Sequence, residues 1–410
     1  MEAAHHIMMR RINLLNVLHC VRNHGPLTKR EIQEKTGLSW GAVSNFAAEL
    51  AAKGILSSKD SDITTVRRTP LLLDISERNN LIIGIDINIE GLMLVVIDLK
   101  CRMVLHKKEH IKEFSLNGVL RQVIDLISMA LSDKRVPQGE VIGIGIAMQG
   151  SVDHQYGISR YAPFDGWHNV ALKKILWTKF GIPVSVIHDP VCMVLAEKWL
   201  GCAKDASDFI LVRLSKGLGM GIFVNNMIYT GHDGTAGEIA HIIVEPNGNE
   251  ICSCGNIGCL ELFASVKGII HRVYSQRDVK QSKYHDLDIE KIASMARDGD
   301  SLCKRIFDEA GFYLGTALAS VVNTVNPQII ILNGNMLAYK DLYYSRLCVT
   351  LEERKWRYAS VKVEFSELKS SAALGAAISF VQSVFSGGLE KLLQSQSLTT
   401  FLPYINSGGS

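Results

Sequence analysis

Between positions 252 and 259 the chain reads Cys-Ser-Cys-Gly-Asn-Ile-Gly-Cys, which places three thiols within eight residues. Few features restrict a backbone more, because the two glycines let so short a loop turn every sulfur toward one point. His241, eleven residues upstream of Cys252, makes a fourth donor available. Cys252, Cys254, Cys259 and His241 form the donor set of a closed, tetrahedral and therefore structural zinc site rather than a hydrolytic one. Two other readings stay open: a neighbouring carboxylate as fourth ligand, or three reduced thiols without metal. The remaining cysteines of the nine are scattered, and an odd count in an intracellular chain argues against a disulfide framework.

A length of 410 residues exceeds what one compact core usually serves, so a small domain plus one or two larger ones is expected. Hydrophobic residues make up 47% and charged residues 21%, an ordinary globular balance that excludes a disordered or fibrous chain. The net charge of +3 is unevenly placed: residues 1–80 carry 11 Lys/Arg against 8 Asp/Glu, and the rest carries 33 of each. That local excess points weakly toward nucleic acid. No run of apolar residues is long enough to span a membrane, and residues 1–11 lack the apolar core of a secretion signal, so a cytoplasmic protein without a membrane partner is expected.

The front of the chain carries a second local pattern. Ile12, Leu15, Val17, Leu18 and Val21 recur at helical spacing before His24-Gly25-Pro26. Thr28 and Glu31 then form a capping-box pair that opens a short helix ending near Lys35, and Gly37 supplies a turn. Ser39 caps a third helix through Ala42, Val43, Phe46 and Leu50 to Gly54. Helix, glycine-centred turn and helix make a helix-turn-helix, whose second helix presents Ser39, Trp40, Gly41, Ser44 and Asn45 to a major groove. Asn pairs bidentately with adenine, and Ser bonds to several base edges. Ile55-Leu56 and Leu71–Leu73 flank a polar run and predict a hairpin wing. Lys29, Arg30, Arg67 and Arg68 are expected to meet phosphates, the wing pair having the minor groove as an alternative. Such a three-helix unit also serves elsewhere as a simple packing module.

From Leu81 the texture changes to alternating strands (81–86, 92–99, 103–109, 141–147) and helices (116–132, then 261–275 and 300–326). This alternation predicts layered α/β architecture. Glycines at 143, 145, 150, 217, 219, 221, 231, 234 and 237 predict tight turns. Residues past Ser386 are expected to fray.

Gly237-Glu238-Ile239-Ala240-His241, followed by the cysteine loop and Leu260-Glu261, resembles the ROK family (repressors, open reading frames and kinases), and the resemblance covers nearly the whole chain. It implies an α/β, actin-like (ribonuclease-H-like) two-lobed domain holding a sugar in its cleft, preceded by a winged helix-turn-helix. The implied domains are 1–76 for DNA, 81–200 with 372–385 for the first lobe, and 201–371 for the second, with the zinc site and dimerisation helices. It further implies that Asp189, Glu238, His241 and Glu261 contact the sugar, Asp189 being the catalytic base in kinase members, and that His241 is also the zinc ligand.

The departures matter as much. Kinase members carry roughly Asp-x-Gly-x-Thr after the first strand, whereas this chain has Asp86-Ile87-Asn88-Ile89-Glu90, which sets a carboxylate toward a phosphate position. No nucleotide cofactor is therefore expected, although Gly217–Gly221 keeps the second glycine loop. Phe164 stands near the family's usual sugar-facing asparagine, Val191 replaces another asparagine, and Ala240 replaces a glycine. The expectation is a homodimeric sugar-responsive regulator, a repressor of carbohydrate-utilisation genes on a pseudopalindromic double-stranded operator, with a tetramer as the other assembly. The alternatives are an ATP-dependent sugar kinase, or a regulator answering to a phosphorylated sugar or a protein partner.

Overall fold

Three helices open the chain: α1 (Glu2–His24), α2 (Lys29–Thr36) and α3 (Trp40–Ala52). The computed structural model describes residues 2–60, 71–77, 79–277 and 286–385. α1 begins well before Ile12, where the apolar spacing starts. Its first turns expose His5, His6 and Arg10 together with Met8 and Met9, so their apolar residues do not line up on a buried face for periodicity to detect. Both members of the predicted capping box form: the Thr28 hydroxyl accepts from the Glu31 amide (3.2 Å) and the Glu31 carboxylate accepts from the Thr28 amide (2.7 Å). Gly37 ends α2 in a left-handed conformation, and the Ser39 hydroxyl caps α3. Leu14, Val17, Leu18 and Val21 of α1 are buried, as are Ile32, Val43, Phe46 and Leu50 of the two short helices. Strands β1 (Leu56–Asp60) and β2 (Leu71–Ile75) pair antiparallel from Leu56↔Ile75 to Asp60↔Leu71. Arg67 and Arg68 lie outside the described residues.

These helices belong to the first of two units, Met1–Leu195 together with the segment from Ser370. Its main sheet comprises β3 (Leu81–Asn88), β4 (Gly91–Ile97), β5 (Met103–Glu109), β6 (Val141–Met148), reached through helix α4 (Leu116–Leu131), and a fifth strand. A small sheet of β7 (Ser151–Asp153), β8 (Ile158–Tyr161) and β9 (His168–Val170) then leads through α5 (Leu172–Phe180) to that fifth strand, β10 (Val184–His188). The order is β10-β6-β3-β4-β5: β3, β4 and β5 run antiparallel, while β6 and β10 lie parallel to β3. Every residue of β3 is buried, the polar Asp86 and Asn88 near its end included, as in a strand covered on both faces. Helix α6 (Asp189–Leu200) starts directly at the end of β10.

The second unit, Ala196–Lys369, repeats the plan. Its strands are β11 (Phe209–Leu214), β12 (Leu218–Val224), β13 (Met227–Tyr229), β14 (Ile329–Asn333) and β15 (Lys362–Phe365), in the order β13-β12-β11-β14-β15. Again three antiparallel strands are followed by two parallel ones. Between β13 and β14 come α7 (Glu261–Ala264), α8 (Val266–Gln276), α9 (Ile289–Arg297) and α10 (Ser301–Val325), and α11 (Lys340–Arg354) precedes β15. The single helix expected over 261–275 is in fact two. Ser265 adopts an extended backbone and uses its hydroxyl to cap α8 at the Gly268 amide, 2.9 Å away.

Helix α12 (Ser371–Ser383) returns to the first unit and lies backbone to backbone on its sheet. A Cβ at Gly84 or Gly145 would collide with a carbonyl of α12, and one at Gly375 would collide with the Cys192 carbonyl of α6. Just past α12, the Phe385 carbonyl accepts a hydrogen bond from His19 Nε2 of α1 (3.1 Å), and the Arg22 guanidinium lies 4.8 Å from the centre of its ring.

Candidate DNA interface, metal centre and effector residues

The cap at Ser39 fixes where α3 begins and so which side chains its first turns present. Ser39, Trp40, Gly41 and Asn45 are exposed, and Trp40 keeps 53% of its surface in solvent. Ser44 is half-buried, and its hydroxyl accepts from the Lys29 ammonium (3.0 Å), so these two candidates bind each other across the turn. Arg30 stands in solvent beside Glu34 (3.2 Å), an exposed pair of the kind that contributes little.

In the second unit, His241 closes a one-turn helix, Ile239–His241, whose preceding residue is Glu238. The donor atoms of His241, Cys252, Cys254 and Cys259 all lie within 4.8 Å of one another. Cys254 Sγ is 3.6 Å from Cys259 Sγ, and Cys252 Sγ is 3.7 Å from His241 Nδ1. Zinc–thiolate bonds of about 2.3 Å in a tetrahedron give a sulfur–sulfur edge of roughly 3.8 Å, so the four residues fit the metal. The Asn256 amide holds the Cys254 thiol below its ordinary range, and burial pushes Cys259 up to about 12. Gly258, at φ +72°, lies against the Glu245 carbonyl, where any Cβ would collide. The loop therefore needs glycine there for both conformation and space.

The candidate sugar-contacting residues divide between the units. Asp189, 3% exposed, heads α6 in the first unit, with His188 Nε2 3.4 Å from its carboxylate. Glu238, His241 and Glu261 gather in the second: the His241 amide donates to the Glu238 carbonyl (3.1 Å), and a Glu261 oxygen lies 3.9 Å from Cys252 Sγ. Glu261 also faces Gly217, whose Cβ would come within 3.1 Å of its carboxylate. Phe164, singled out as a departure, packs instead in the core beside Trp167, with ring centres 5.4 Å apart.

The turn between β3 and β4 shows what replaced the kinase pattern. The Ile89 amide donates to the Gln149 side chain (3.2 Å) and the Glu90 amide to the Asn88 side chain (2.8 Å). The Asn88 amide group in turn donates to Asp86 (2.7 Å). Backbone amides that could cradle a phosphate are thus already bonded to side chains. The role of Asn88 follows from an Asn two residues before a turn amide, whereas Gln149, sixty positions away, gave no local signal.

A chain that builds one five-stranded α/β plan twice, after a capped helix-turn-helix, is an actin-like α/β protein with an appended DNA-binding-type module. It belongs to the ROK family, whose model matches residues 82–383. The "Xylose repressor" of Caldicellulosiruptor bescii is 28% identical over 388 residues, 92% of this chain and 96% of that protein. The Escherichia coli "DNA-binding transcriptional dual regulator NagC" is 28% identical over 90% of this chain and 92% of its own length. A solved ROK family transcriptional regulator, described as a homologue of the E. coli MLC protein, superposes with a TM-score of 0.79. It is 25% identical, and the match covers 94% of this chain and 98% of that one. A Streptomyces griseus ROK glucokinase shares the fold at a TM-score of 0.62 but covers only 73% of this chain. No helix among the described residues is long and apolar enough to cross a membrane.

Proposed function

We propose that this chain is a cytoplasmic, sugar-responsive repressor of carbohydrate-utilisation genes that leaves its operator when a sugar binds. The observation that carries the reading is the capped α3 with Trp40 and Asn45 bare to solvent, on a chain whose remainder is a ROK domain. A relative named as a xylose repressor and one named as a DNA-binding dual regulator each match it across nine tenths of its length.

Within this reading residues 1–76 hold DNA. Asn45, Ser39, Trp40, Gly41 and Ser44 face base edges, while Lys29, Arg30, Arg67 and Arg68 serve the backbone. A homodimer sets two such units on a pseudopalindromic operator. Asp189, Glu238, His241 and Glu261 recognise sugar hydroxyls, with polar groups at strand and helix ends providing direction. His241, Cys252, Cys254 and Cys259 hold zinc, which supplies a cross-link and no chemistry. The sugar acts by preferring one of two states of the protein, and a differential affinity of a few kcal/mol shifts occupancy about a hundredfold.

A kinase reading draws on Asp189 and the glycines 217–221. Against it stand Ile89 and Glu90, whose amides are already satisfied by side chains. The deciding experiment measures binding to the chain's own upstream DNA by fluorescence anisotropy while screening free and phosphorylated pentoses, hexoses and N-acetylated sugars. A parallel coupled assay reads ADP release. Specific binding relieved by one free sugar without ADP supports the proposal. ADP release abolished by Asp189→Asn would overturn it, and release by phosphorylated sugars alone would move the effector to that class.

A further inference from the structure

The second unit carries a partly buried polar cluster next to the metal loop that the function above leaves unused. Glu245 lies between His241 and Cys252 in sequence. Its amide and that of Val244 both donate to the Gly258 carbonyl, at 3.2 and 2.9 Å, so the irregular segment around it forms the wall against which the cysteine loop folds. The Glu245 carboxylate does not face the cysteines. It accepts a hydrogen bond from the Tyr313 hydroxyl of α10 at 3.0 Å. Burial, followed by the nearby Glu245 carboxylate, pushes the Tyr313 phenol up to about 12, so at neutral pH it keeps its proton and is the donor.

The same Tyr313 ring stacks on Phe263, centre to centre at 4.2 Å. Phe263 sits on α7 two residues after Glu261 and four after Cys259. Arg272 of α8, 6% exposed, lies 4.9 Å from the centre of the Phe263 ring and pairs with Glu309 of α10. Two of its buried nitrogens, Nε and Nη1, have no hydrogen-bond partner. The guanidinium is held by the Glu309 carboxylate and by the Phe263 ring it packs against. α10 therefore grips both ends of the metal segment: the irregular stretch before Cys252 through Glu245, and the helix after Cys259 through Phe263. The Tyr313 side chain touches both.

We propose that Tyr313 is a positioning residue for the metal centre and for Glu261: its hydroxyl fixes the Glu245 segment, its ring fixes α7, and together they hold the four donors in reach of one ion. This rests on the zinc reading above. Residues behind a ligand shell act by orienting it, and their loss typically costs ten- to a hundredfold in metal affinity.

The test uses reduced full-length protein and zinc itself, with affinity read by competition against a chromophoric chelator. Tyr313→Phe, which keeps the ring and deletes only the hydroxyl, is expected to weaken zinc binding about tenfold or more. Its metal-free melting temperature should stay at the wild-type value. Glu245→Ala should weaken zinc equally. Glu245→Gln, whose carbonyl still accepts from Tyr313, should stay near wild type. The double variant Tyr313→Phe with Glu245→Ala should be no weaker than either single one, because both remove the same bond. Wild-type affinity in Tyr313→Phe, or fully additive losses, overturns the proposal. Wild-type protein that takes up no zinc would instead bring down the metal reading on which it depends.

Discussion

Asn45 is exposed on the first turns of α3, one turn after Gly41, where a side-chain amide can pair with a base. Asn45→Ala is expected to cost about 1–3 kcal/mol of operator affinity, relax preference at one base pair and leave the melting temperature unchanged. Anisotropy at fixed salt on matched and mismatched operators checks this. Arg30→Gln should act differently, weakening all sequences alike and lowering the salt slope by about one. At this scale the sequence was legible wherever the chemistry is local. Thr28 with Glu31, Ser39, and the three cysteines do with near neighbours what their types predict. It was silent where a partner arrives through the fold: Gln149 reaches Ile89 across 60 positions and Tyr313 reaches Glu245 across 68. No spacing rule announces such a meeting.

Elements were readable as far as their periodicity went and no further. The apolar run of β3 and the stripe of α4 mark themselves, but the first turns of α1 mix histidines and arginines with exposed methionines and present no buried face to detect. The break between α7 and α8 is invisible to periodicity because one serine hydroxyl makes it. Thr28→Ala removes half the capping box and is expected to lower stability by about 1 kcal/mol, measurable in urea. Gly375→Val should cost about 1–3 kcal/mol or more, since α12 must lift from α6 to admit a side chain. A Gly375→Val variant with an unshifted urea midpoint would mean that this contact is looser than the geometry requires.

For the whole molecule, alternation of strands and helices announces an α/β protein, yet it does not say which strands pair. That both sheets follow one order emerges only when β6 and β14 are seen beside β3 and β11. Zinc belongs to this scale because a metal that binds only folded protein stabilises all of it. With free zinc at a hundred times its dissociation constant, chelation should remove about 2.7 kcal/mol, read as a fall in melting temperature that added zinc restores. His19 and Phe385 touch although 366 positions separate them. At translation rates of about 5–20 residues per second, roughly twenty seconds to over a minute pass between the emergence of one and of the other. Through that interval the helix-turn-helix is already outside the ribosome without the aromatic ring that will brace its first helix. The first helix is thus made long before the ring it will lean on.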